Sequence, residues 1–163
     1  MDTITETASY IRNLVPWELP RCLPGARAFH AEMRLPGPFE PEVFVARWEA
    51  YLAQLTADVL GLWDGVELIG GLGVVAAPEQ YNEELVATEL FWYVDPAHRH
   101  GMGAIRLLKA FKAWGRKRGA VRCRLVHLLG GEETPRENQL ARVYRKLGFH
   151  LIEAVWDAPL EDI

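Results

Sequence analysis

Glu89-Leu-Phe-Trp-Tyr-Val-Asp-Pro96 is a run of strand formers closed by an Asp-Pro break, and Arg99-His-Gly-Met-Gly-Ala104 follows it almost at once. Aromatic and β-branched side chains favour a pleated, half-buried strand, and proline stops it. From about Gly103 to Arg118 the apolar residues Ala104, Leu107, Leu108, Phe111 and Trp114 recur at three and four, with basic residues between them. That spacing predicts an amphipathic helix. Gly119 caps it, after Arg116-Lys-Arg118, whose charges suit the negative end of the helix dipole. A buried strand that hands a glycine-containing loop to a helix N-terminus presents converging backbone N–H groups, the arrangement that receives a phosphate.

Upstream, Leu85 to Val94 is the whole predicted strand, entered from a loop at Pro78 to Glu84. Before it stands a hairpin: Val59 to Trp63, the turn Asp64-Gly65, then Val66 to Val75. Pro41 opens a helix striped with Val43, Phe44, Trp48, Tyr51, Leu52 and Leu55. A helix from about Trp17 to Arg34, irregular at Pro20 and Pro24, and a first strand from Tyr10 to Val15 complete the first half. Downstream, Val121 to Leu129 reads as a buried strand and Gly130 to Arg136 as a polar loop. Glu137 to Leu147 reads as a helix striped with Leu140, Val143, Tyr144 and Leu147. Gly148 ends that helix, and Phe149 to Trp156 is a last strand. The sum is an α/β (α+β) sandwich in one domain spanning residues 1–163.

Bulk properties narrow the classes. A chain of 163 residues suits a single core, and half hydrophobic with a quarter charged is the balance of a folded globular protein. A net charge of −4 gives no reason to expect nucleic acid or an anionic membrane as partner. Cys22 and Cys123 have neither metal nor redox spacing, so reduced, idle thiols are expected. The first residues lack a basic segment followed by an apolar one, and the longest weakly polar run, Leu68 to Ala77, is half a bilayer span. A cytoplasmic location is the expectation, and a homodimer is left open.

About forty residues past the loop the chain reads Tyr144-Arg-Lys-Leu-Gly-Phe149. Together the two segments resemble the GNAT superfamily, which moves acyl groups from coenzyme A to amines. The resemblance runs from Tyr10 to Trp156. It implies a central mixed, mostly antiparallel twisted sheet flanked by helices, with acetyl-CoA as co-substrate and no metal. In the family, Arg/Gln-x-x-Gly-x-Gly/Ala holds the pyrophosphate. Two registers fit here. With His98 first, Gly101 and Gly103 fall on the glycine positions; with Arg99 first, Ala104 and the spacing from Val94 agree, but Met102 replaces a glycine. The second is preferred, and in both the donors lie within Arg99, His100, Gly101, Met102, Gly103 and Ala104. The resemblance also implies that backbone groups of Trp92 and Val94 pair with the pantetheine arm. A dinucleotide-binding loop would need a third glycine, an early strand and a later acidic residue.

Acyl transfer to an amine needs a neutral amine, a stabilised oxyanion and a proton for the departing thiolate. Tyr144 lies in the family's Tyr-x-x-x-Gly-Phe signature, where the phenol approaches the coenzyme sulfur; its spacing from Leu140 and Leu147 equally suits a core tyrosine. Glu89 stands where family members use a glutamate as base, and an exposed strand carboxylate is the competing reading. His127 is read as a buried strand histidine, and His30 and Glu32 as surface residues of the first helix. The reading that follows is an N-acetyltransferase acting on a small-molecule or peptide primary amine by direct attack in a ternary complex. The alternatives are a non-catalytic acyl-CoA-binding module on the same fold and an unrelated nucleotide-binding domain.

Overall fold

A computed structural model of the chain describes residues 9–126 and 139–153. It divides into two compact units, Met1–Glu133 and Thr134–Ile163. Among the described residues the first holds a five-stranded sheet in sequential order: β1 (Tyr10–Asn13), β2 (Ala57–Asp64), β3 (Glu67–Pro78), β4 (Leu85–Val94) and β5 (Arg122–Arg124). The first four strands are antiparallel neighbours, and β5 joins β4 in parallel, so the sheet is mixed and mostly antiparallel. The expected hairpin forms, but its two turn residues are Gly65 and Val66 rather than Asp64 and Gly65, since Asp64 still pairs with Glu67. Gly65 takes φ +54°, where an L side chain is strained.

Two helices lie on one face. The span from Trp17 is not one helix: Pro16–Cys22 is a 3-10 segment and α1 (Leu23–Glu32) begins only after it. Pro20 and Pro24 lack the N–H groups a continuous ladder requires, which accounts for the break. Helix α2 (Pro41–Ala53) starts at proline as expected and buries Trp48, while Val43 and Leu55 from its predicted stripe are exposed. The core here joins Leu14, Leu19, Cys22, Trp48, Val59 and Trp63. Phe91 of β4 meets Trp48 edge-on at 5.1 Å. Gly73 lies beneath this contact, and a Cβ there would sit 2.4 Å from Trp48.

Helix α3 (Gly103–Lys117) covers the opposite face and buries Leu107, Leu108, Phe111 and Trp114, as its periodicity demands. Gly115 faces Ala87 of β4, and Gly103 faces Leu62 of β2. At the far end, Asp58 accepts from Trp114 Nε1 at 2.6 Å and from Arg118 at 2.7 Å. Gly119 takes φ +81° past the helix end, the left-handed cap that residue type predicts.

The second unit contains α4 (Gln139–Lys146), capped by Gly148 at φ +83°, with the Phe149 N–H donating to the Tyr144 carbonyl at 3.0 Å. Residues 149–153 are not in a strand, which corrects the expectation of one from Phe149. A strand exists only through ladder bonds to a neighbour, and the Phe149 N–H is already committed to the cap. The expected strand from Val121 is described as β5 over three residues only. His127, Gly130 to Arg136, Glu137 and residues 154–156 lie outside the described residues.

Candidate active site

The geometry of β4 begins with one extra residue. Val74 opposes Glu89 and Gly73 opposes Phe91, so Leu90 has no partner and forms a β-bulge. Strict alternation would put Glu89, Phe91 and Tyr93 on a single face. The bulge reverses the order. Glu89 shares the α3 face with its cross-strand partner Val74 and with Ala87, whereas Phe91 and Tyr93 turn to α2 and α1. Leu90 is left 42% exposed. Beyond the bulge, Trp92 opposes Leu72 and Val94 opposes Gly70. These two residues therefore return to the face that carries Glu89.

Glu89 is 5% exposed, so the reading of an exposed strand carboxylate is wrong. Its Oε2 accepts the backbone N–H of Val126 at 2.9 Å. Burial disfavours the carboxylate and pushes its pKa up from the ordinary 4.5 to about 7, partly opposed by the Val126 hydrogen bond. A carboxyl so placed gives up and recovers its proton near neutral pH, the property a general base requires.

The outer edge of β4 runs past this carboxyl. Pairing with β5 runs from Val86–Arg122 to Thr88–Arg124, and among the described residues no strand covers β4 beyond Thr88. The Asp95 N–H donates to the Ile69 carbonyl at 2.9 Å. By antiparallel alternation, Tyr93 and Phe91 then bond toward β3, and the backbone groups of Trp92 and Val94 point away from it, to the outer edge. The Val94 carbonyl accepts from Arg99 Nε at 2.7 Å, which agrees with that direction.

The loop after β4 folds back onto it. Asp95 Oδ1 accepts the Ala97 N–H at 2.9 Å and starts the 3-10 turn Pro96–His98. The five-residue step from Val94 to Arg99 thus has a structural meaning, since the Arg99 side chain returns to the Val94 carbonyl. Its two terminal nitrogens grip Glu32 at the end of α1, each at 2.7 Å. That pair holds the Glu32 carboxyl below its ordinary pKa. His100, Gly101 and Met102 are exposed, and Met102 precedes α3 without a side-chain cap. The first N–H groups of α3, on Gly103, Ala104 and Ile105, have no acceptor within the helix. The nearest atom to a Cβ at Gly101 would be the His98 carbonyl at 3.9 Å, so the loop surface there is open.

Gly103 has a different reason to be glycine. A Cβ there would lie 2.6 Å from Leu62 Cδ2, so its bareness lets α3 settle on β2. Tyr144 belongs to the second unit, in α4, with its ring 6.1 Å from that of Phe149. The structure thus brings Glu89, Trp92, Val94 and residues 99–104 onto one strand and its following loop, and describes Tyr144 separately. Sequence reading missed two partners. Glu32 gave no signal beyond a carboxylate at a helix end, and the Val126 N–H is a backbone group without any sequence signature.

On the other face, α1 spans a cavity of about 620 Å³ lined by Gly25, Ala28, Gly70, Gly71, Phe91 and Tyr93, among others. Among the described residues no helix is long and apolar enough to cross a membrane, and no group of three or more His, Cys, Asp or Glu could hold a metal.

The sequence model of the acetyltransferase (GNAT) family matches residues 26–149, and the chain belongs to that family. It is an acyltransferase by that membership. No curated protein sequence matches it. Similar solved structures include a predicted acetyltransferase with acetyl-CoA from Clostridium acetobutylicum, 13% identical at TM-score 0.73, covering 93% of this chain and 96% of that one. An aminoglycoside acetyltransferase from an uncultured soil metagenomic sample, in complex with sisomicin, is 16% identical at TM-score 0.71, with 94% and 95% covered. A ribosomal-protein-alanine N-acetyltransferase from Brucella melitensis biovar Abortus 2308 is 17% identical at TM-score 0.68, with 94% and 100% covered. At these identities the likeness is one of fold.

Proposed function

We propose that the protein transfers an acetyl group from acetyl-CoA to a primary amine by direct attack in a ternary complex. The observation that carries this is Glu89, buried, with a pKa of about 7, on the same face as Trp92 and Val94 beside the outer edge of β4. The chain's own groups fit the coenzyme. By the family resemblance, backbone groups of Trp92 and Val94 pair with an extended pantetheine arm as a further strand would. The uncapped start of α3, with the bare surface at Gly101, suits a pyrophosphate. In the reaction, Glu89 takes a proton from the ammonium, directly or through one water. The freed nitrogen attacks the thioester carbonyl, the C–S bond breaks and the thiolate takes the Tyr144 phenol proton, while the second proton of the former ammonium leaves the nitrogen as the amide forms and restores the phenol. The role of Tyr144 rests on the Tyr-x-x-x-Gly-Phe resemblance. Soluble amines and peptide N-termini are both candidate acceptors, in keeping with what the structural relatives are named for.

The test is free-thiol release from acetyl-CoA across a panel of amines, aminoglycosides, amino acids and peptides, read against pH. With a productive acceptor, kcat/KM should rise through pH about 7 as Glu89 ionises. Glu89→Gln should lose this limb and on the order of 10²-fold in rate near neutrality, with a smaller defect for amines of lower pKa. A variant that keeps the parent profile would remove Glu89 from the reaction.

A further inference from the structure

Helix α1 buries none of its residues, and it bridges a cavity rather than filling it. Two contacts nevertheless hold it to the end of β4. Gly25 abuts the Tyr93 ring, where a Cβ would lie 2.9 Å from Cδ1. Seven residues later, Glu32 takes both terminal nitrogens of Arg99 at 2.7 Å. A spacing of seven puts both contacts on one face of the helix, about 10 Å apart. Arg99 in turn fixes the Val94 carbonyl at 2.7 Å and stands 5.3 Å from the Tyr93 ring centroid. Three of its five N–H donors are therefore used within the protein. The guanidinium acts as a bracket between a strand end, a loop and a helix end.

We infer that Glu32 is a positioning residue for coenzyme binding: through Arg99 it sets the backbone of Val94 and of the loop 99–103 on which the coenzyme lies. The inference rests on the coenzyme reading above. Its physical content is preorganisation. The groups assigned to the coenzyme are backbone N–H and C=O, whose direction depends on the loop conformation, and the bidentate pair restrains that conformation before the ligand arrives. Coupling also runs the other way. A coenzyme that favours the bracketed loop favours the Glu32–Arg99 pair, and so holds the end of α1 and its connection to α2. This connection returns through Phe39, whose ring lies 5.9 Å from His30 and 6.0 Å from Phe44. Phe44 lies 5.9 Å from Phe91, just beyond the bulge.

The experiment measures the coenzyme A dissociation constant by calorimetry for the full chain and for Glu32→Ala, Arg99→Ala and the double variant. Glu32→Gln, of equal size and retaining one acceptor oxygen, serves if the alanine variant does not fold. Glu32→Ala should weaken binding about tenfold and Glu32→Gln about threefold. In the Arg99→Ala background, loss of Glu32 should have no further effect, which a general loss of stability would not produce. Amide exchange supplies the second readout: coenzyme A should protect residues 29–34 in the parent and leave them unprotected in Glu32→Ala. Unchanged affinity in Glu32→Ala, or effects of Glu32 and Arg99 that add in full, would overturn the inference alone. Failure of the parent to bind coenzyme A would overturn the coenzyme reading and this inference with it.

Discussion

At the scale of single residues, the role proposed for Glu89 runs against stability. Its folded pKa of about 7 stands above the ordinary 4.5, so between these values the native state keeps a proton that the unfolded chain has released. Stability is then full below pH 4.5 and falls as pH rises through 7, by about 3 kcal/mol from this group alone. Glu89→Gln has no such proton and still offers an oxygen to the Val126 N–H. It should therefore match the parent near pH 4 and exceed it above pH 7, with the difference read from urea midpoints at several pH values. A parent whose midpoint does not fall across this window would contradict the burial argument. The sequence named Glu89 but not its setting. An extra residue in a strand leaves no mark on hydropathy when that residue is itself apolar, as Leu90 is. Plain alternation would have assigned Glu89 to the wrong face.

The elements follow the sequence wherever a local rule has no competitor. Helix α3 begins and ends where its periodicity and Gly119 place it, and Pro41 opens α2. Agreement stops where partners decide: β5 and the segment after Phe149 read as strands by composition, but a strand's extent is set by its neighbours. At the start of α3 the exposed Gly101 and the buried Gly103 answer to different constraints. Gly103→Val would drive a branched side chain into Leu62, a fully covered residue, and should destabilise the fold by about 1–3 kcal/mol. It would therefore confuse folding with coenzyme binding. Gly101→Val points into open space and should leave the thermal midpoint within about 2 °C, a shift of under 1 kcal/mol, while crowding the surface assigned to pyrophosphate. The paired measurement is thermal unfolding with and without coenzyme A. A Gly101→Val protein that binds coenzyme A as well as the parent would move that site elsewhere on the loop.

For the whole molecule, the order of strands and helices was legible because each carries its own period, and the family followed from two short segments about forty residues apart. The acceptor was not, since its surroundings depend on side chains brought together from distant parts of the chain. Ligand linkage tests the larger reading. Coenzyme A at a hundred times its dissociation constant should stabilise the fold by about 2.7 kcal/mol, raising Tm by roughly 5–10 °C. A midpoint that does not move, in protein shown to be folded, would count against the proposed site.

The sparse seating of α1 bears on how this protein can change over generations. A helix with no buried side chain can exchange most of its residues without opening a hole in the core, so folding imposes little purifying pressure on Leu23–Glu32. Gly25, pressed against Tyr93, is an exception, since any larger residue there must displace the ring. Glu32, paired with Arg99, is another, and the remainder of the helix borders a cavity and can drift. New side chains there would reshape the cavity wall while the strand that carries Glu89 stays as it is, which makes α1 a natural route by which relatives of this fold diverge.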